Sequence, residues 1–569
     1  MRQGLRRVVL CPGSRSGPLA VACGLMAART DLALCTAIDE RSAGFLALGL
    51  ATAEGRAVAV ITTSGTAVAN LLPAAVEADR SCQPLLLLTA DRPSRLKGCG
   101  ANQTVNQEDF LRPACRWFDS GPLDGLHHAD AVALEALSQR CWLNAHAPER
   151  LPPGPVHCNL PLEEPLHAPL VDQQAVLQQL SAIASPAAVL LSAHNDACNS
   201  TAANSTACIP GLDPSKPGVV VAGPWRGLAS HLSAFQEALA HWLQISGWPL
   251  FADPLARFPL EHPQRIHHWE LLLSKEMAYP ADCQVLRLGP LPASRRLEQW
   301  LSDHSGSQVL ITEAESRPLD PCRKAVQWSG GLVAWSAAMQ ERHPIHESAS
   351  SAPSWLQGWR LKDQAIARYL DTGLPAVGAC SEPALVRQLA GLLPVGFPMM
   401  LAASSPVRDW MIWTGKQGVQ RDCYGFRGAS GIDGTLSLAM GLAMVRGPLV
   451  LLTGDLALLH DSNGWLHAAQ QSIPLLVILI DNNGGGIFQQ LPIESLPDRF
   501  EQLFAMPQQV DPLELAAAHR IPGRVVSCLE DLDVALDWGL AQQGPALLRI
   551  CTNRQGDAEL RQQLRVQLP

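Results

Sequence analysis

Short apolar runs recur along this chain, and each stops at a Gly or a small polar residue. The first set comprises Val8-Val9-Leu10-Cys11, Leu32 to Ile38, Ala57 to Thr62 and Leu85 to Thr89, and Ala/Leu-rich helical stretches follow the first three. A strand buried on both faces reads as an unbroken apolar run, and alternation with helices calls for a parallel sheet covered on either side. The same grammar returns in Pro448 to Leu452, Pro474 to Ile480 and Ala546 to Cys551. Between these regions lie Gly218 to Gly223, Val285 to Gly289 and Val309 to Thr312. The chain therefore reads as α/β with three domains, each a mostly parallel sheet with helices on both faces. Ser185 to Gly218 and His343 to Pro353 lack sustained periodicity and read as linkers. They divide the chain at 1–184, 185–353 and 354–569. The first and last domains read as variations on one architecture.

Composition removes several classes. Forty-three Lys and Arg stand against 52 Asp and Glu, a net charge of −9, so the positive field that nucleic-acid binding exploits is missing. No apolar stretch approaches the roughly 18 residues of a spanning helix, and no membrane insertion is expected. The sixteen Cys are scattered with no C-x-x-C, which indicates neither a zinc site nor a disulfide framework. Reduced thiols point to the cytoplasm. Pro12, Gly13 and Arg15 interrupt the first apolar run before it reaches the length of a signal peptide.

The chain carries no P-loop, G-x-G-x-x-G, H-E-x-x-H or G-x-S-x-G signature. Three features remain. Gly454-Asp455 and Asn482-Asn483-Gly484 place Asp455 and Asn482 27 positions apart. If each ends an adjacent parallel strand, with the crossover helix within Asp461 to Gln471, both side-chain oxygens project into the crevice at the sheet's carboxyl edge. A carboxylate, an amide oxygen and a nearby carbonyl suit Mg2+ bound to a diphosphate; ordinary turns after buried strands account for the same residues equally well. Second, Asp39-Glu40 precedes the helical run Arg41 to Ala51, where Glu40 also fits a first-turn acid stabilised by the helix dipole. Third, Arg427-Gly428-Ala429-Ser430-Gly431-Ile432-Asp433-Gly434 is a Gly-rich loop that permits close backbone approach to a ligand.

Together these features resemble thiamine-diphosphate enzymes. Pro12 to Ser16, Asp39-Glu40-Arg41, Thr63 to Asn70, Thr89 to Pro93, Gly100 to Gln103, Arg427 to Gly434 and Gly454-Asp455-Leu456 resemble more closely the 2-succinyl-5-enolpyruvyl-6-hydroxy-3-cyclohexene-1-carboxylate synthase family. The likeness spans nearly the whole chain and is weakest in the middle domain. It implies a transferase of the thiamine-diphosphate fold that decarboxylates 2-oxoglutarate and adds the remaining unit to isochorismate in menaquinone or phylloquinone biosynthesis. It also implies Mg2+ or Mn2+, and a homodimer or tetramer with shared active sites.

By the same resemblance, Asp455, Asn482 and the Gly484 carbonyl hold the metal. Ser404, Ser430, Gly431, Gly454 and Leu456 line the cofactor, Ile432 bends it, and Glu40 activates its pyrimidine ring. Ser14, Arg15, Arg92, Asn102, Gln103, Arg295, Arg296, Arg408 and Arg427 fall at substrate positions, where planar guanidinium forks suit carboxylates. Ile487, Phe488 and Leu491 form an apolar wall. Three departures stand out: the chain reaches its first strand without the family's preceding helix, Arg295-Arg296 replaces Lys-Arg, and Ala403 replaces a residue that is often Asn. The competing readings are another thiamine-diphosphate carboligase or decarboxylase, of the acetohydroxyacid synthase kind, and a non-catalytic cofactor-binding homologue.

Overall fold

A computed structural model describes residues 1–146, 152–180, 209–259, 261–275, 279–343, 354–469, 472–491 and 497–569. Three parallel sheets carry the architecture. The first contains β1 (Arg7–Leu10), β2 (Ala33–Thr36), β3 (Val58–Thr62), β4 (Leu85–Asp91), β5 (Trp117–Ser120) and β6 (Pro155–Pro161) in the order β2-β1-β3-β4-β6-β5. The second contains β7 (Gly218–Ala222), β8 (Leu250–Ala252), β9 (Gln284–Leu288), β10 (Gln308–Ile311) and β11 (Ala325–Trp328), ordered β11-β10-β9-β7-β8. The third contains β12 (Met399–Leu401), β13 (Cys423–Gly425), β14 (Leu449–Gly454), β15 (Leu475–Asp481), β16 (Gly523–Val526) and β17 (Ala546–Cys551), ordered β13-β12-β14-β15-β17-β16.

Counted within their own sheets, the first and third share one strand order, 2-1-3-4-6-5, so the two outer domains are one architecture used twice. Both linker segments lie largely outside the described residues, and the boundaries at 184/185 and 353/354 lie there with them.

By contact the described chain forms two compact units. One holds the first sheet together with 227–230 and 427–445; the other holds 209–226, 231–426 and 446–569. In the second unit, the middle and third sheets share a continuous apolar core that runs from Val219 and Phe251 through Trp359 and Trp410 to Val450 and Ile478. Arg257 reinforces it with a two-point contact to Asp422 at 2.8 Å for each bond, and a further bond to the Tyr424 hydroxyl at 3.1 Å.

In the first unit, the helix Glu40–Glu54 is buried along most of its length and crosses the helix Thr435–Arg446 at Gly49 and Gly441. A Cβ on Gly49 would lie 2.2 Å from the Leu438 carbonyl oxygen, and one on Gly441 would lie 2.2 Å from that of Leu46. Only a hydrogen at both positions permits this approach, which sets Glu40, at one end of its helix, on a rigid base. Because overpacking costs about 1–3 kcal/mol or more, Gly49→Val is expected to lower the unfolding midpoint of the purified protein in a urea titration. A conservative surface change, Arg29→Lys, is expected to leave that midpoint unchanged.

Candidate active site

Strands β14 and β15 pair in parallel from Leu449↔Leu475 to Gly454↔Ile480, so Asp455 and Asn482 follow adjacent strand ends at the carboxyl edge. The element after β14 differs from the expected one. A helix begins at Asp455 itself and runs to His460, and a 3-10 segment, Ser462–Ala469, follows where a helix within Asp461 to Gln471 was expected; Gln471 lies outside the described residues. In the first turn of this helix, Asp455 Oδ1 accepts from the Leu456 N–H at 2.7 Å. The other carboxylate oxygen accepts from the Gly484 N–H at 2.6 Å. Burial pushes the Asp455 carboxyl up to about 6, with Asp481 and Glu382 adding to the rise and the two N–H bonds opposing it.

Asn482 is buried, and its amide nitrogen donates to Glu382 Oε1 at 2.7 Å. Its Oδ1 is buried without a hydrogen-bond partner, a condition that in folded proteins calls for an ion, a water or a functional role. No group of three His, Cys, Asp or Glu among the described residues is placed to hold a metal. The carboxylate of Asp455, the orphan oxygen of Asn482 and the carbonyl of Gly484 are instead an all-oxygen donor set, which suits a hard divalent cation. The residues present therefore fit the expected metal.

Around this point the second unit gathers further residues. Ser404 opens the helix Ser405–Trp413 behind β12; its hydroxyl does not cap that helix, and its carbonyl accepts from Arg408 at 2.7 Å. Gly454 is the last residue of β14. Ile487 and Phe488 lie in the turn Gly486–Gln490, half-buried, and the Leu491 N–H donates to the Phe488 carbonyl at 3.1 Å. Phe488 also stacks at a tilt on Phe504, 5.7 Å between ring centres. Arg295 and Arg296 stand on the middle sheet instead, opening the helix Arg295–Asp303. Arg296 is engaged by Glu270 at 2.8 Å, while Arg295 is exposed.

In the first unit, Glu40 is the first residue of its helix, with Asp39 as N-cap accepting from the Arg41 and Ser42 N–H groups. Burial pushes the Cys11 thiol up, and the charges of Glu40 and Asp39 add to it, so the end of β1 lies beside Glu40. Arg15 is buried, donates to the Leu162 carbonyl at 2.8 Å and stands 3.5 Å from Glu164. Arg92 donates to the Ser64 hydroxyl at 2.5 Å and to the Gln103 carbonyl at 2.9 Å. Burial and the neighbouring Arg15 charge hold the Arg92 guanidinium below its ordinary value. Two guanidinium groups close enough to oppose each other suit an anion with more than one carboxylate. Ser14, Asn102 and Gln103 are nearby in sequence, and Gln103 donates to the Ser64 carbonyl at 2.8 Å.

The Gly-rich loop is held by Glu77, which sequence reasoning missed. Its carboxylate accepts from the N–H groups of Gly428 at 2.8 Å, Ala429 at 2.6 Å and Ser430 at 3.2 Å. Arg427 starts this loop; Gly431 and Ile432 lie near its end, and the Ile432 carbonyl accepts from the Thr435 hydroxyl at 2.8 Å. Four non-glycine residues with left-handed backbone fall in the site motifs: Gln103 (φ 59°), Ser404 (74°), Ser430 (62°) and Asn483 (62°). Such strain collects where a ligand has to be met in a fixed geometry.

Residues 1–110 match the thiamine pyrophosphate enzyme N-terminal TPP binding domain, 212–397 the middle domain of thiamine pyrophosphate enzymes, and 414–550 the C-terminal TPP binding domain. The 2-succinyl-5-enolpyruvyl-6-hydroxy-3-cyclohexene-1-carboxylate synthase of Synechococcus sp. (strain CC9902) is 60% identical over 99% of this chain and 97% of its own length. The synthase of the same name from Parasynechococcus marenigrum (strain WH8102) is 60% identical over 99% and 98%. That of Prochlorococcus marinus (strain MIT 9313) is 56% identical over 99% and 97%. The chain belongs to this synthase family.

It is accordingly a thiamine-diphosphate enzyme, and two buried acids, Glu77 and Glu382, support the family's motifs from outside them. The only trace of Glu77 in the sequence is an acid amid the apolar Leu71 to Ala78, and Glu382 in Ser381-Glu382-Pro383 resembles any first-turn acid. Because a hydrogen bond to a charged group contributes about 1.5–3 kcal/mol, Glu77→Ala is expected to weaken thiamine diphosphate binding about tenfold or more. Tryptophan fluorescence titration of the purified protein reads this change.

Proposed function

We propose that this chain decarboxylates 2-oxoglutarate and joins the remaining four-carbon unit to isochorismate, giving 2-succinyl-5-enolpyruvyl-6-hydroxy-3-cyclohexene-1-carboxylate and CO2 for menaquinone or phylloquinone biosynthesis. Thiamine diphosphate, when bound, supplies the electron sink that makes loss of CO2 from a 2-oxoacid feasible. Asp455, Asn482 and the Gly484 carbonyl would hold Mg2+ or Mn2+ for its diphosphate. The observation that carries this reading is the orphan Asn482 oxygen, beside a buried carboxyl that burial has pushed up. Ser404, Ser430, Gly431, Gly454 and Leu456 would line the cofactor, and Ile432 would supply an apolar contact to it.

Glu40 would hydrogen-bond the aminopyrimidine of the bound cofactor and so assist its proton transfer. Arg15 and Arg92, with Ser14, Asn102 and Gln103, receive substrate carboxylates, aided by Arg408, Arg427 and the middle-domain pair Arg295 and Arg296. Ile487, Phe488 and Leu491 keep water from the reacting carbon. The working form is a homodimer, alone or paired into a tetramer, in the cytoplasm. Glu40 of one subunit and Asp455 of another serve the same cofactor. No described helix is long and apolar enough to cross a membrane.

Mass spectrometry of the product from 2-oxoglutarate plus isochorismate tests the reaction. The adduct is expected only when thiamine diphosphate and Mg2+ are both present, and a pyruvate-derived product would overturn the substrate choice. Glu40→Gln is expected to lose about 100-fold or more in kcat while still binding cofactor in a metal-dependent way. Asp455→Ala is expected to lose that metal dependence in calorimetric titration.

A further inference from the structure

We propose that Glu382 is a positioning residue that fixes which atom of the Asn482 side chain faces the divalent ion. The proposal rests on the metal-site reading above. An asparagine amide has two ends of nearly equal size and opposite chemistry, an acceptor oxygen and a donor NH2. Turned the wrong way, it presents two positive hydrogens to a cation. Nothing in β15 itself selects the right way.

Glu382 supplies that selection. Its Oε1 lies 2.7 Å from the Asn482 amide nitrogen, although the two residues are 100 positions apart. A carboxylate only accepts, so the NH2 end is drawn to it and Oδ1 is left on the other side, buried and unpartnered. Glu382 is itself held fast. Its Oε2 accepts from Arg561 at 2.5 Å, and its backbone N–H donates to Asp557 at 2.9 Å. Arg561 is anchored in turn by Asp409 at 3.1 and 2.6 Å. Glu382 is almost fully buried, 1% exposed, so no water competes for its inner oxygen. Partners of this kind behind a metal ligand typically govern 10–100-fold in metal affinity.

The test reverses the polarity of one hydrogen bond. In Glu382→Gln, Arg561 can only donate and so takes the glutamine oxygen; the glutamine NH2 then faces Asn482 and turns its amide around. Mn2+ titration of the full-length protein at saturating thiamine diphosphate, with free Mn2+ read by electron paramagnetic resonance, is expected to show about 10–100-fold weaker binding. Adding Asn482→Asp to Glu382→Gln should restore binding, because a carboxylate accepts from the glutamine and still offers an oxygen to the metal. A purely structural role, resting on the Arg561–Glu382 ion pair, predicts no such rescue, since Arg561 still faces an uncharged glutamine in the double variant.

Glu382→Asp, which keeps the Arg561 pairing but shortens the reach to Asn482, is expected to weaken Mn2+ binding too and serves if the glutamine variant does not fold. Wild-type affinity in Glu382→Gln or Glu382→Asp, or a double variant no better than the single, would overturn the positioning role alone. Wild-type protein that takes up no Mn2+ with the cofactor present would overturn the metal site itself.

Discussion

The in-register parallel pairing of β14 with β15 is what the site depends on. Successive residues rise about 3.3 Å along a parallel strand, so a slip of one residue would carry Asp455 and Asn482 out of step at the carboxyl edge. Both strands are anchored by apolar residues on both faces: Leu449 to Leu452 and Leu475 to Ile480 are all buried. Each such side chain contributes about 1.5–3 kcal/mol on burial, far more than any local preference of the polar residues at the strand ends. The apolar platform thus carries Asp455 and Asn482 to the same edge, where a helix starts at Asp455 itself.

Beneath this edge the molecule tolerates a costly arrangement. Glu382, Asp409, Asp557 and Arg561 are all buried, and charges removed from water repay their desolvation only where geometry and extra hydrogen bonds are good. Here burial and the Glu382 carboxylate push the Asp557 carboxyl up to about 7, while Arg561 opposes the rise. Such an array makes a poor source of stability and a good source of rigidity. In the first unit Glu77 acts in the same manner: one carboxylate takes three consecutive backbone N–H groups and fixes a glycine-rich loop that would otherwise have many conformations. Both acids are positional devices, one for a side-chain amide and one for a backbone.

Much of the fold was legible because buried parallel strands leave unbroken apolar runs, and the runs at 85–89, 448–452 and 546–551 fall on β4, β14 and β17. The shared order 2-1-3-4-6-5 of the outer sheets was not, since strand order is set by crossovers whose handedness and landing place leave no local mark. The helix starting at Asp455 escaped notice because Leu456-Ala457-Leu458-Leu459 continues the apolar run of the strand before it. The spacing of Asp455 and Asn482 points to the adjacent strand ends that the structure has, whereas Glu40 stands out only in the company of the other motifs. Glu382 could not, because its partners are 100 and 179 positions away, and only the folded chain brings them together. Arg296 stands at a substrate position by resemblance alone, and its contact with Glu270 at 2.8 Å left no mark in the sequence either.

The central claim is that a divalent ion sits at the ends of β14 and β15 on three oxygen donors. Anomalous diffraction at the manganese edge, from crystals grown with Mn2+ and thiamine diphosphate, tests it most directly. The account predicts one strong peak within about 2.0–2.3 Å of an Asp455 carboxylate oxygen, Asn482 Oδ1 and the Gly484 carbonyl oxygen, close to the Mg2+ distance of such sites. A peak bonded to other residues, or cofactor bound with no peak between these three, would contradict it.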